Sequence, residues 1–125
     1  MNENEVIQYY LGTIYQNGIG VEKDETKAIE YYIKLAEKEH VDAQFQLSEC
    51  YRLGIGIKKD KIKALEYYKK SAGKGHITAQ NILGYLYENG EDTKRNLEKA
   101  FEYYNKAVEM KMNWHNIILA DVINL

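Results

Sequence analysis

No proline occurs anywhere in the 125 residues, and cysteine occurs once, as Cys50. Proline inside a helix removes a backbone hydrogen bond and clashes with the turn before it, so a chain without proline can be helical almost throughout. A lone thiol cannot close an internal disulfide, and small secreted domains usually carry several. Cys50 therefore reads as a small buried hydrophobe, and the chain as a protein of a reducing compartment, the cytoplasm. An excess of charge is missing too. The 17 Lys and Arg against 19 Asp and Glu leave a net charge of −2, which gives no electrostatic footprint for nucleic acid or for an anionic membrane. No stretch is long and apolar enough to span a bilayer. The first five residues, Met1 to Glu5, lack the basic and apolar regions of a secretory signal.

Tyrosine, in contrast, is abundant, with 12 copies, and its placement is regular. Tyr15, Tyr51 and Tyr87 are separated by one constant step of 36 residues, as are Gly18, Gly54 and Gly90. Lys27-Ala28, Lys63-Ala64 and Lys99-Ala100 keep that step, and so do the pairs Tyr31-Tyr32, Tyr67-Tyr68 and Tyr103-Tyr104. Gln8, Gln44 and Gln80 mark the start of each unit. A period of this length means stacked supersecondary units. The reading divides the chain into 7–42, 43–78 and 79–114, one domain in all, with 115–125 as the beginning of a fourth unit.

Each unit reads as two helices. In the second, Ala43, Leu47, Cys50 and Tyr51 form one apolar stripe that ends at Gly54-Ile55-Gly56. Asp60 is placed to cap the next helix, which carries Ala64, Tyr67, Tyr68, Ser71 and Ala72 before Gly75 stops it. Asp24 and Asn96 hold the capping position in the other two units. The third loop lacks the second glycine, reading Gly90-Glu91-Asp92, but keeps its length. In the first unit Ile7, Leu11, Ile14 and Tyr15 are expected to face the partner helix. The recurring tyrosine pairs are expected to pack, with hydroxyls reaching water or a backbone carbonyl.

These residues resemble the Sel1-like repeat, a relative of the tetratricopeptide repeat. The first unit matches through Leu11, Gly12, Tyr15, Gly18, Gly20, Val21, Asp24, Lys27, Ala28, Tyr31, Tyr32, Ala36 and His40. The second matches through Ala43, Leu47, Tyr51, Gly54, Gly56, Asp60, Lys63, Ala64, Tyr67, Tyr68, Ala72, Gly75 and His76. The third keeps Ala79, Leu83, Gly84, Tyr87, Lys99, Ala100, Tyr103 and Tyr104. Ser48 replaces a glycine, Glu39 and Lys111 replace the glycine before the histidine position, and Met112 replaces the histidine. The resemblance implies an all-α fold: a right-handed α-α superhelix, or solenoid, of three helix-pair repeats with a C-terminal capping helix. It implies that the first helix of each pair lines a concave surface, and that the protein is an adaptor for another protein or peptide.

On that surface the positions to watch are those that differ between units while the core repeats. They are Tyr9, Thr13 and Gln16; Phe45, Glu49 and Arg52; Asn81, Tyr85 and Glu88; and Ile117, Asp121 and Asn124. Aromatics and arginine are enriched at binding hot spots, so a groove for a segment with apolar anchors and a basic group is expected. The apolar stretch from Trp114 to Leu125 reads as a lone first helix capping the stack, which makes the chain a monomer or a homodimer through that helix.

Catalysis is not expected. His40 and His76 share one repeat position at a turn, where a structural role fits, and no Cys/His spacing suits a metal. The Gly-x-Gly links lack the strand and longer glycine pattern of phosphate loops. No cofactor is implied. A dedicated inhibitor or immunity-type protein that blocks one target is the alternative reading. A weak β-lactam hydrolase comes last, because the cysteine-rich relatives described in that role carry paired cysteines in each repeat and this chain does not.

Overall fold

The computed structural model describes the backbone of residues 2–123 and the side chains of residues 2–113 and of Leu119. Among the described residues six helices follow one another: α1 (Glu3–Asn17), α2 (Glu25–Glu37), α3 (Val41–Leu53), α4 (Lys61–Gly73), α5 (Ile77–Asn89) and α6 (Leu97–Ile123). No strand occurs among the described residues. The architecture is an all-α repeat fold with one helix pair to each 36-residue stride.

The link within each pair is built three times in the same way. The first helix ends on a left-handed glycine, at φ 66° for Gly18, 74° for Gly54 and 68° for Gly90. Two residues later Gly20 and Gly56 are left-handed again, and in the third link Asp92 adopts the same conformation at φ 61°. A side chain in that region is strained by about 1 kcal/mol, yet the link keeps its shape. It closes when the amides of Asp24, Asp60 and Asn96 donate to the carbonyls of Tyr15, Tyr51 and Tyr87 at 2.8–2.9 Å. The side chains of these three residues then cap the second helices, accepting from the amides of Lys27, Lys63 and Lys99 at 3.0–3.1 Å. All three caps agree with the sequence reading.

The residues form two compact units, the first ending at Ser71 and the second beginning at Ala72, within α4. In the first unit α1 packs on α2 and α2 on α3, burying Ala28, Ile29, Tyr32, Leu35, Ala43, Leu47, Cys50 and Tyr68. In the second, α5 packs on α6 over Ala79, Leu83, Leu86, Tyr87, Ala100 and Ala107. Ile7 departs from expectation: it is 57 % exposed, whereas its equivalents Ala43 and Ala79 are fully buried. Ala43 lies on α3, which packs against the preceding α2.

A second departure concerns the capping helix. Residues 115 to 123 do not form a helix of their own; they continue α6, which runs unbroken for 27 residues. The reason lies in two side chains. The second helices of the first two repeats are followed by a left-handed residue, Glu39 or Gly75, and then by a histidine. Nδ1 of His40 accepts from the Ala43 amide, and Nδ1 of His76 from the Ala79 amide, each at 3.1 Å. The third repeat has Lys111 and Met112 at these positions. Lysine resists a left-handed backbone and methionine offers no capping acceptor, so nothing stops the helix.

Candidate recognition surface

The recurring tyrosines determine which side chains remain available. In every pair the ring on the first helix stacks nearly parallel on a ring of the second: Tyr15 on Tyr31, Tyr51 on Tyr67 and Tyr87 on Tyr103, with centroids 5.9–6.2 Å apart. Lys27, Lys63 and Lys99 place their Nζ atoms 4.5–5.5 Å from the first ring of each stack, within cation–π range. This sandwich closes the helix pair.

The second tyrosine of each doublet points elsewhere. The rings of Tyr32 and Tyr104 lie against helical glycines, so close that a Cβ at Gly12 or Gly84 would sit 2.7 or 2.6 Å from a ring carbon. The middle repeat accommodates Ser48 at this position, with its hydroxyl donating to the Gln44 carbonyl at 2.9 Å. The hydroxyls of Tyr32, Tyr68 and Tyr104 meet side chains of the first helix, partners that the sequence reading did not name. Tyr32 donates to Gln16 Oε1 at 2.9 Å, Tyr68 to Glu49 Oε1 at 2.8 Å and Tyr104 to Glu88 Oε2 at 2.8 Å. Thr13 Oγ1 lies 3.4 Å from the Tyr32 hydroxyl. Burial holds the Tyr32 phenol up at about 12. Tyr68 is raised by burial and then by its bond to Glu49, and Tyr104 by burial and then by Glu88.

The positions singled out from sequence therefore divide in two. In the first unit they are half-buried and engaged. The Tyr9 ring stacks on His40 at 5.3 Å and lies 6.0 Å from Tyr32, and burial followed by the nearby Asp42 raises its pKa. Phe45 tilts against Tyr68 at 6.0 Å. Thr13, Gln16 and Glu49 meet tyrosine hydroxyls as described, and Arg52 lies beside Tyr68. In the second unit Asn81, Tyr85 and Glu88 on α5 are exposed, Tyr85 by 49 %. Tyr85 and Glu88 both neighbour Tyr104. The side chains of Ile117, Asp121 and Asn124 lie outside the described residues. Sequence reasoning missed the tyrosine hydroxyls as partners of these positions. The signal was available, because Tyr32 lies 16 residues after Gln16 and Tyr104 16 after Glu88, the same interval that separates the stacked rings.

Elsewhere little chemistry gathers. Cys50 is buried, and burial pushes its thiol up to about 12. Among the described residues no three of His, Cys, Asp or Glu come together to hold a metal ion, and no helix is long and apolar enough to cross a membrane. A shallow cavity of about 610 Å³ lies over the link between α3 and α4, lined by Tyr51, Ile57, Ile62 and four lysines around Asp60.

The sequence matches the Sel1 repeat three times in succession, over residues 8–40, 41–76 and 77–112. Among solved structures it is similar to a Sel1 repeat protein from Oxalobacter formigenes, with 36 % identity and a TM-score of 0.81 over 86 % of this chain and 44 % of that one. A protective antigen present in uropathogenic Escherichia coli strains, described as displaying this repeat fold, is 34 % identical with a TM-score of 0.79, over 84 % of this chain and 22 % of that one. The cysteine-rich protein B of Helicobacter pylori is 27 % identical with a TM-score of 0.68, over 86 % of both chains. The chain thus spans less than half the length of the first two. No curated protein matches it. Three matched repeats on three helix pairs make this chain a member of the Sel1 repeat family, whose members generally serve as protein-interaction modules.

Proposed function

We propose that the chain is a non-catalytic adaptor in which the variable side chains of the first helices, within each compact unit by itself, recognise a peptide or protein segment. These are Tyr9, Thr13 and Gln16 on α1, Phe45, Glu49 and Arg52 on α3, and Asn81, Tyr85 and Glu88 on α5. The observation that carries the reading is the contrast within one stride. The stacked rings, left-handed links and caps recur in every repeat, while these positions change residue type from repeat to repeat. Side chains that fasten a repeat must recur, and side chains that recognise a guest need not.

The chemistry of the set suits a segment with an apolar anchor and a basic group. An exposed aromatic such as Tyr85 offers large contact area at a low entropy loss. Glu88 shares its carboxylate with the Tyr104 hydroxyl, which fixes the direction of its remaining lone pairs. The test is affinity capture from native lysate with the purified chain and with Tyr85→Ala. Tyr85 is not part of the core, so the variant should keep its helical circular dichroism and lose the captured protein. Capture that survives Tyr85→Ala and Phe45→Ala together would move the recognition site to another surface.

A further inference from the structure

The second helix of a repeat carries a face that the next first helix covers. On α2 this face includes Ile29 and Ala36, which are 5 % and 4 % exposed where α3 packs on α2. The Gln44 side chain of α3 donates to the Ala36 carbonyl at 3.4 Å. Two strides later the equivalent residues on α6 are Phe101 and Val108, and they are 67 % and 55 % exposed. Leu97, Met112 and Leu119 of α6 are exposed as well. Spacings of 4, 7, 4 and 7 place these five side chains within about 60° of the helix circumference, along roughly 33 Å of its length. The steps add up to an 11-residue period, close to three full turns of a straight α-helix, so the stripe runs nearly parallel to the helix axis.

The face is open because the helix that would fold back over it cannot form. With Lys111 and Met112 in place of a left-handed residue and a capping histidine, the last turns run straight on as part of α6. They are thus held away from the face that their counterparts cover in the first repeat.

We propose that a second copy of this chain covers the stripe, the two α6 helices lying antiparallel about a twofold axis near Met110. In this register Phe101 meets Leu119 of the second copy and Val108 meets its Met112. The last turns of each α6 then take the place that a folded-back helix would occupy on the other. A single stripe serves both copies, as a closed twofold interface requires. With ordinary side-chain areas, the five residues expose on the order of 500 Å² per chain. Pairing two stripes therefore removes about 1,000 Å², the least area that a specific interface has to clear, and fits an association in the micromolar range. The interface goes beyond the recognition reading above and does not depend on it.

Sedimentation equilibrium of the full chain across the micromolar range tests the proposal. The expected mass is twice 14.6 kDa. Phe101→Glu combined with Val108→Glu alters only exposed side chains, so the helical spectrum should persist while association weakens at least ~30-fold. Lys111→Gly combined with Met112→His restores the missing break. The tail should then fold back on its own chain and give a monomer with unchanged helix content. A mass that stays at 14.6 kDa throughout overturns the proposal. So does a dimer that either pair of substitutions leaves intact. An open-ended series of species abolished by Ile7→Glu overturns it as well, because it would show that the stripe binds the exposed end of α1 instead.

Discussion

Tyr32 in the first repeat and Tyr104 in the third hold the same place and make the same contacts, yet they sit in different environments. Each ring lies against a helical glycine and each hydroxyl donates to a side chain 16 residues earlier. Tyr32 has no accessible surface at all, whereas Tyr104 is half-buried. The contacts inside a helix pair are specified by the pair itself. The depth of burial is not: it depends on whether another helix covers the outer side. On α2 that helix is α3, while on α6 the corresponding residues, Phe101 and Val108, are exposed.

The comparison can be broken most directly at the two tyrosines. Tyr32→Ala should destabilise the chain by about 3–5 kcal/mol in urea unfolding, and Tyr104→Ala by about half as much. Equal losses would mean that burial by the next helix adds nothing. High pH probes the same residue. Tyr32 ionises near 12 in the fold and near the ordinary value of about 10 when unfolded. Its contribution is therefore complete below pH 10 and is lost as pH rises toward 12. Tyrosinate absorbance should show Tyr32 titrating together with unfolding, and Tyr32→Phe should remove that component.

The left-handed positions sharpen the picture at a smaller scale. A Cβ at Gly56 would sit 2.4 Å from the Glu25 carbonyl oxygen, while one at Gly20 meets nothing within 4 Å. Gly56→Ala should thus cost roughly 2–3 kcal/mol and Gly20→Ala only ~1 kcal/mol. At the third such link Asp92→Gly should stabilise by about 1 kcal/mol, since it removes the strain that Asp92 now bears. Loss of a cap lies in the same range: His76→Ala should cost about 1 kcal/mol by thermal or chemical unfolding. The smallest effect is expected from Lys63→Ala, which removes a cation from the face of Tyr51 and should cost ~0.5 kcal/mol.

Much of this is legible in the sequence. One constant stride locates the helix pairs, the left-handed glycines and the capping residues Asp24, Asp60 and Asn96, because each of those features is local and recurs. Asp92 could be read as a departure from Gly20 and Gly56, though not as a residue that accepts the strain and keeps the link. Three features resisted. Ile7 reads as an inward residue by helical spacing, but spacing cannot say whether a neighbour covers it. The destination of the Tyr32, Tyr68 and Tyr104 hydroxyls depends on how two helices cross, which no single-helix pattern contains. The continuation of α6 was hidden in plain view at Lys111 and Met112. They read as mismatches to a family pattern, and their effect emerges only once Glu39, Gly75 and the two histidines are seen to be what turns the chain.

The ring sandwich of Tyr15 and Tyr31, repeated by Tyr51 with Tyr67 and Tyr87 with Tyr103, closes within one 36-residue stride and calls on no residue from elsewhere. A gene segment of that length can therefore be duplicated or deleted whole, and every surviving helix pair still carries its own fastening. Lengthening such a protein requires no new fastening inside a pair, only another copy of an old one, which leaves the variable positions on the first helix free to diverge.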